Sequence, residues 1–178
     1  MIKITYFVHG TTKDNEKNIS TGQAHGELSE LGIKQSKELP NQIRNKKFDV
    51  VFCSDLKRAV DSAKISFGEA YEIIQDKRLR ECNYGGLNQA GEEKIVYSEH
   101  IEEPFPGGER LKDVEKRIFD FIKFLKQNYK GKHVAIVAHK APQLALEVLT
   151  KAKTWEKAIK GDWRNKKAWQ PGWEYIIK

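Results

Sequence analysis

Residues 2–12, IKITYFVHGTT, decide how we interpret the rest of the chain. Their apolar, β-branched first part predicts a buried strand, which ends at the abrupt change to histidine, glycine and hydroxyl side chains. In an open α/β sheet, ligands bind outside the carboxyl ends of the strands. His9 is therefore a candidate site residue. The N–H groups that follow are candidates to face an anion, because Gly10 permits a sharp turn.

The length and composition are typical of one globular domain. A chain of 178 residues with 39% hydrophobic and 32% charged residues predicts a single domain over 1–178. No apolar run approaches the roughly 18 to 20 residues that span a bilayer, and no secretory signal precedes the first strand, so we expect a cytoplasmic protein without a membrane partner. Two cysteines without a Cys-x-x-Cys motif predict neither a disulfide framework nor a zinc site.

Positive charge and tryptophan are concentrated at the C-terminus. Residues 150–178 hold eight lysines and arginines against three acidic residues, and all four tryptophans. Basic residues interleaved with aromatic ones are typical of single-stranded nucleic acid binders. The alternative is a terminal helix and strand whose tryptophans pack on the body of the protein. We prefer the alternative, because Trp155, Ala158 and Ile159 have the spacing of one buried helical face.

Strand and helix patterns alternate along the chain. Apolar runs predict strands at 2–8, 48–53, 71–75, 133–138 and 173–177. Helices are predicted after Ser29, at 56–67, at 111–125 and at 141–149, and a short helix is expected near 92–99. Gly68 is expected to end the second of these helices, and Gly131 the third. This alternation predicts an α/β fold of three layers, α/β/α, around a mainly parallel central sheet.

Two helix starts give more detailed expectations. Ser29 is a good N-cap for a helix in which Leu31, Gln35 and Leu39 share a face. Ser54-Asp55 is the expected N-cap of the helix at 56–67. In that helix Arg58 lies in the first turn, off the apolar stripe, so it can reach over the top of the sheet.

The first and fourth predicted strands end in the same way. His9 follows one and His139 follows the other. The polar, glycine-containing loops at 11–27 and 83–108 are too long to be simple connectors and are expected to border a substrate. We interpret the two histidines as one site at the carboxyl edge of the sheet.

At this point the sequence resembles the histidine phosphatase superfamily, which has the phosphoglycerate mutase-like fold. The resemblance covers nearly the whole chain. The matching segments are His9-Gly10-Thr11 with Asn15, Leu28–Gly32, Ser54–Ala59, Leu79–Glu81 with Tyr84-Gly85, Pro106–Glu109 and Val137–His139.

The resemblance implies a role for each matching residue. His9 would be the nucleophile that becomes a phosphohistidine, and Glu81 would be the proton donor. Arg58, Asn15 and His139 would hold the phosphoryl oxygens. Phosphoryl transfer is catalysed mainly by positioning and by donors aimed at the charge on those oxygens, so cationic side chains suffice and neither a metal ion nor another cofactor is expected.

The chain departs from the family pattern at two positions. The motif has an arginine before the nucleophilic histidine, where this chain has Val8. That loss removes a charge-assisted contact worth about one to two orders of magnitude in rate. The position after His139 is often glycine, and here it is Lys140. We hypothesise that Lys140, or less favourably Lys13, restores positive charge near the phosphate. The alternative is that Lys140 only begins a solvent-facing helix.

The predicted function is hydrolysis of a small phosphorylated metabolite. A phosphoglycerate mutase is the near alternative, but family mutases tend to have longer insertions above the sheet. Because position 8 is Val8, a weakly active or inactive phosphate-binding module is also considered, and nucleic-acid binding through the tail comes third. The irregular loops encode no readable pocket, so the sequence predicts neither the substrate nor the oligomeric state.

Overall fold

The computed structural model describes residues 1–178 as an α/β fold. Its regular elements are β1 (Ile2–Val8), β2 (Ile19–Ser20), α1 (Glu30–Gln42), β3 (Val50–Cys53), α2 (Lys57–Phe67), β4 (Ile73–Gln75), β5 (Ala90–Gly91), α3 (Leu111–Asn128), β6 (His133–Ala138), α4 (Lys140–Lys151), α5 (Trp155–Lys160) and β7 (Trp173–Ile177). None of the helices combines the length and the apolar composition that a membrane-spanning helix requires.

The central sheet has five strands in the order β4-β3-β6-β1-β7. The first four strands are parallel, and β7 runs antiparallel to β1 at the edge. The predicted, mainly parallel sheet is therefore confirmed. Because β1 and β6 are neighbours with Val8 opposite Ala138, the residues that follow them, His9 and His139, leave the sheet side by side.

Helices cover both faces of this sheet. Side chains alternate between the two faces of a strand. Tyr6 and Ile136 belong to a large apolar cluster that includes residues of α3, α4 and α5, whereas Phe7 and Val137 belong to a second cluster that includes residues of α2. Since α1 packs against α2, the predicted three-layer α/β/α arrangement is confirmed.

The start of α1 is predicted correctly but its buried face is not. The Ser29 hydroxyl accepts a hydrogen bond from the Gly32 N–H, as expected for an N-cap. Leu31, however, is 49% exposed, and the buried residues of the helix are Gly32 and Ser36. The reason is close backbone packing, because a Cβ atom on Gly32 would lie 2.0 Å from the carbonyl oxygen of Thr11.

Other element boundaries also differ from the predicted ones, including the starts of β3 and β4, which lie two residues later than expected. Helix α2 has Leu56 as its N-cap, and Ser54 and Asp55 lie before the cap. Ser54 instead accepts a hydrogen bond from the Leu56 N–H, while Asp55 forms an ion pair with Arg80. The helix expected near 92–99 is two 3₁₀ turns, 92–94 and 97–99, and α3 ends three residues before Gly131. These short polar segments carry too little periodic signal to fix a boundary.

The two long loops above the sheet are joined to each other. Strand β2, in the loop at 11–27, pairs antiparallel with β5, in the loop at 83–108. Together they form a small second sheet. Local sequence did not indicate this pairing, because each strand has only two residues.

The tryptophan-rich C-terminal segment packs mostly on the body. Trp155 is buried, and its indole N–H donates to Glu115 over 2.7 Å. The rings of Trp163 and Trp173 stack with centroids 4.8 Å apart. Trp169 is 51% exposed. The packing interpretation therefore holds for three of the four tryptophans.

Candidate active site

The two predicted histidines meet at the carboxyl edge of the sheet. The rings of His9 and His139 have centroids 5.0 Å apart and planes inclined by 57°. The backbone N–H of His9 donates to the carbonyl of Ala138, which continues the ladder between β1 and β6 up to the site. The register of two adjacent strands thus places both imidazoles in one pocket.

The His9 ring is held in one tautomer. Its Nδ1 atom lies 2.8 Å from the carbonyl oxygen of Gly10, which can only accept a hydrogen bond, so Nδ1 carries the proton. The lone pair is then on Nε2. Burial, followed by the charge of Arg58, lowers the pKa of His9 from 6.5 to about 3. His9 therefore presents an unprotonated nitrogen at neutral pH.

His139 is buried without side-chain partners. It is 1% exposed, and neither Nδ1 nor Nε2 has a hydrogen-bond partner within the chain. Its backbone is fixed by Tyr6, whose hydroxyl donates to the His139 carbonyl and accepts from the His139 N–H. Burial and the charge of Arg58 hold the pKa of His139 well below its ordinary value. A buried polar ring left unpaired is costly unless a ligand completes it.

Arg58 brings a buried guanidinium to the same place. The residue is 2% exposed, and its guanidinium donates to the backbone carbonyls of Gly22 at 2.6 Å and Ala24 at 3.4 Å. Burial lowers the pKa of Arg58, while the charge of Glu81 opposes that effect. An arginine still keeps its proton in such a setting. The expectation that the first turn of α2 aims a cation over the sheet is consistent with this geometry.

Asn15 presents an oriented amide. Its Oδ1 atom accepts a hydrogen bond from the Thr12 N–H over 3.0 Å, and the Thr12 hydroxyl accepts from the Asn15 N–H. The Nδ2 group, a donor, makes no hydrogen bond within the chain. Asn15 therefore has the free donor that its predicted contact with an anion requires.

The Glu81 carboxyl caps the start of α4. Its Oε1 accepts hydrogen bonds from the N–H groups of Cys82 and Ala141 and from the Tyr97 hydroxyl, whereas Oε2 accepts only from the Lys140 N–H. In the protonated acid, Oε2 is consequently the oxygen that can carry the proton. The two carboxyl oxygens of Glu81 are therefore unequal, with three donors on Oε1 and one on Oε2.

One cavity of about 370 Å³ contains every residue that the sequence assigned to the site. Those residues are His9, Asn15, Arg58, Glu81, His139 and Lys140. The Lys140 ammonium lies 4.6 Å from the centre of the Tyr97 ring and 3.8 Å from Oδ2 of Asp162. Val8 also lines the cavity. Lys13 does not, because its ammonium pairs with Glu27 at 2.7 Å on the exterior.

The backbone N–H groups after His9 are not free to bind an anion. Gly10 donates to the Ser62 hydroxyl, Thr11 to the Gln35 side chain, and Thr12 to Asn15. The expectation of an anion-binding backbone is therefore wrong, because side chains of α1, α2 and the loop occupy these donors. An anion in this cavity would therefore be held by side chains.

Sequence reasoning missed part of the cavity wall. Trp163, Arg164 and Trp169 of the C-terminal segment line it, together with Tyr97 from the loop at 83–108. The clustering of charge and tryptophan at 150–178 was visible. Which of its members reach the site was not, since that depends on how the segment folds back onto β1.

The depressed histidine pKa values predict acid destabilisation of the phosphate-free protein. Unfolded histidine binds a proton below its ordinary pKa of 6.5, whereas folded His9 does so only near 3. Between these values the unfolded chain binds more protons, so the free energy of unfolding falls as pH falls, by roughly 1.4 kcal/mol per unit at most from His9. Urea unfolding of wild type and His9→Gln between pH 7 and pH 4 measures this slope. We expect a shallower slope in the variant, and equal slopes would contradict the assignment.

Comparisons with known sequences agree on one family. The model of the histidine phosphatase superfamily (branch 1) matches residues 6–164. A 2,3-bisphosphoglycerate-dependent phosphoglycerate mutase from Parvibaculum lavamentivorans is 34% identical, over 74% of this chain and 71% of that protein. Phosphoserine phosphatase 1 from Hydrogenobacter thermophilus is 27% identical, over 82% of this chain and 74% of that protein. Both mutases and phosphatases are thus among the relatives.

Solved structures agree on the fold. A mycobacterial glucosyl-3-phosphoglycerate phosphatase in complex with VO₃ superposes with a TM-score of 0.79 at 24% identity, over 88% of this chain and 85% of that one. A phosphoserine phosphatase variant from Entamoeba histolytica in complex with phosphoserine superposes with a TM-score of 0.78 at 23% identity. The superposition covers 91% of this chain and 86% of that one. With the family match extending over most of its length, the chain belongs to the histidine phosphatase superfamily.

Proposed function

We propose that this protein hydrolyses a small phosphomonoester through a phosphohistidine intermediate on His9. The single observation that carries the proposal is the pair of unpartnered, buried ring nitrogens of His139 beside the free Nε2 of His9, with the buried guanidinium of Arg58 in the same cavity. A phosphoryl group supplies the negative oxygens that such donors need.

In the first step, the Nε2 lone pair of His9 attacks phosphorus in line with the ester oxygen. The N–P bond forms as the P–O bond to the alcohol breaks. Glu81, in its protonated form, gives its proton to the departing alkoxide through Oε2. Arg58 and His139 hold the phosphoryl oxygens while negative charge is spread over them. The first product is an alcohol, and the phosphoryl group remains on His9.

In the second step, water attacks the phosphohistidine. Ionised Glu81 takes one proton from the attacking water, so the oxygen that bonds to phosphorus is activated at the moment of attack. The P–N bond breaks, and its electron pair returns to Nε2 of His9. Phosphate leaves, and both residues recover their starting protonation states. We propose that Asn15 and Lys140 contribute a hydrogen-bond donor and a positive charge to the anion in both steps.

A small metabolite fits the cavity better than a macromolecule. A volume of about 370 Å³ lies at the lower end of the range for small-ligand pockets, and loops from several parts of the chain enclose it. The relatives include enzymes named for phosphoserine and fructose 2,6-bisphosphate. We propose a substrate of this size with a single transferable phosphoryl group.

A panel of phosphorylated metabolites, assayed for phosphate release, tests this proposal. Phosphoserine, phosphoglycerates, sugar phosphates and a generic aryl phosphate form the panel, with His9→Ala as the blank. We expect release that depends on His9 for at least one member. Equal and negligible turnover by both proteins across the panel would favour a phosphate-binding module.

A mutase remains the second candidate, because the mutase relative from Parvibaculum lavamentivorans is 34% identical. The same half-reaction on His9 serves both activities, and they differ in what accepts the phosphoryl group. Incubation with 2,3-bisphosphoglycerate and monophosphoglycerate isomers separates the two. Hydrolysis predicts release of phosphate, whereas rapid interconversion without release would assign the protein as a mutase.

Replacing Arg58 by lysine should weaken catalysis although it conserves the charge. A lysine has no planar fork, so it cannot donate to the Gly22 carbonyl and to a phosphoryl oxygen with the same geometry. We expect kcat/KM on an aryl phosphate to fall by about 10- to 100-fold. Arg110→Lys is the matched control, since Arg110 pairs with Asp113 outside the cavity. Equal activity of the two variants would show that Arg58 does not contact the phosphoryl group.

A further inference from the structure

The C-terminal segment brings a second arginine to the cavity. Arg164 lies in the 3₁₀ turn 163–166, between α5 and β7, and it lines the same cavity as His9, Arg58 and His139. Strand β7 runs antiparallel to β1, with Trp173 opposite Tyr6. The chain that enters β7 therefore arrives at the carboxyl end of β1, next to the site.

The Arg164 guanidinium is held in place by buried polar groups. Its Nη1 donates to Oδ1 of Asp162 at 3.0 Å, and its Nη2 donates to Oε1 of Gln143 at 3.2 Å. Asp162 and Gln143 are 4% and 3% exposed. The guanidinium carbon also lies 4.4 Å from the centre of the Trp163 ring. The long side chain of Arg164 is thus already ordered in the folded protein, so ligand binding loses little further conformational entropy there.

Around Asp162 the cations outnumber the carboxylates. Asp162 is the only carboxylate that Arg164 contacts, and Oδ2 of Asp162 has no hydrogen-bond partner within the chain. Lys140 approaches that oxygen at 3.8 Å. Two cations therefore share one buried carboxylate at the cavity wall, which leaves a net positive charge there. The Nε group of Arg164 makes no hydrogen bond within the chain and remains available as a donor.

Arg164 is better placed than Lys140 to act on the two histidines. Burial and the charge of Arg58 account for most of the lowering of the His9 and His139 pKa values, and the charge of Arg164 adds a smaller contribution in the same direction. The Lys140 ammonium instead rests over the Tyr97 ring. Val8, the residue that stands where the family motif has its arginine, lines the cavity without offering a donor.

We propose that Arg164 binds the phosphoryl oxygens and supplies the guanidinium that position 8 lacks in this chain. The proposal rests on the proposed function, because it assigns Arg164 to the phosphoryl group that His9 receives. It places a substrate-binding residue in the C-terminal segment, so that segment has a part in the site in addition to packing.

The test is calorimetric binding of inorganic phosphate to wild type, Arg164→Gln and Lys166→Gln. Phosphate has no second charged group, so it reports on the phosphoryl subsite alone. Lys166 is exposed and lies in the same turn outside the cavity, so its variant matches the change in net charge. We expect Kd to rise by about 10- to 100-fold in Arg164→Gln and by less than about twofold in Lys166→Gln. Equal Kd values for the two variants would overturn the proposal.

Two further measurements keep the result interpretable. Thermal melting checks that Arg164→Gln folds. If it does not fold, Arg164→Lys takes its place, with a smaller but definite rise in Kd expected. Weaker binding of phosphoserine with unchanged binding of phosphate would assign Arg164 to another group of the substrate and contradict the proposal. Because binding is measured without turnover, phosphate bound through Arg164 in an inactive protein would contradict only the proposed function.

Discussion

Replacing His9 by alanine is expected to abolish turnover, with kcat on any active substrate falling by about three to six orders of magnitude. Alanine removes the nucleophile of the proposed first step, and His139 is not placed to replace it. The ring of His139 is held 5.0 Å away and its backbone is fixed by Tyr6. Phosphate release under saturating substrate measures the effect.

Binding and a matched histidine variant serve as controls for this prediction. His9→Ala should still bind inorganic phosphate, because Arg58, Asn15 and His139 remain in the cavity. His25→Ala, which removes an exposed imidazole outside the cavity, should retain wild-type activity. Turnover by His9→Ala within about tenfold of wild type would show that another group attacks phosphorus.

Replacing Glu81 by glutamine should produce the second large effect, and its size should depend on the leaving group. An alkoxide needs a proton to depart, so kcat/KM for an alkyl phosphate such as phosphoserine is expected to fall by about 10²- to 10⁴-fold. An aryl oxide leaves without a proton. For an aryl phosphate the first step should be nearly unaffected, whereas the second step still needs a base to deprotonate water.

Rapid-mixing kinetics with an aryl phosphate make that difference visible. Glu81→Gln should give a burst of aryl oxide equal to the enzyme concentration, followed by slow turnover, because phosphohistidine accumulates. Asp113→Asn is a suitable control, since this carboxylate pairs with Arg110 at the start of α3, outside the cavity. Equal losses on alkyl and aryl substrates, with no burst, would contradict the role of Glu81 as proton donor and base.

Much of the fold was predictable because local patterns and tertiary environment agree. The strand that ends at Val8 and the strand that ends at Ala138 are short, apolar and buried on both faces, and each is followed by a histidine. The carboxyl ends of parallel strands lie at one edge of a sheet, so the sequence could predict that His9 and His139 lie at the same edge. That they lie on adjacent strands was not, since strand order depends on long-range pairing.

The failures on α1 have a specific physical cause. Hydropathy favours Leu31 as a core residue, but in the structure the helix packs against the segment after β1 through Gly32. The other buried residue, Ser36, faces α2, since its carbonyl accepts a hydrogen bond from the Ser66 hydroxyl. A Cβ atom on Gly10 would lie 2.5 Å from the carbonyl oxygen of Gly32. Backbone approach of this kind selects for small residues, and an apolar pattern does not report it.

The contribution of the C-terminal segment to the site could not be predicted from the sequence either. Arg164 is one of several cations in a basic stretch, and nothing local distinguishes it from its exposed neighbour Lys166. Its position follows from two tertiary facts, the antiparallel pairing of β7 with β1 and the hydrogen bonds to Asp162 and Gln143. Sequence reasoning identified Lys140 as the compensating cation because it adjoins His139 in the chain.

The most direct measurement is to trap the phosphorylated enzyme during turnover. An aryl phosphate is mixed with Glu81→Gln, in which the intermediate should accumulate, and the reaction is quenched in alkali before peptide mass spectrometry. We predict one phosphoryl group per protein, located on His9, lost in acid and retained in alkali. Steady turnover with no phosphoryl group on His9, or with the group on another residue, would contradict a reaction centred on this histidine.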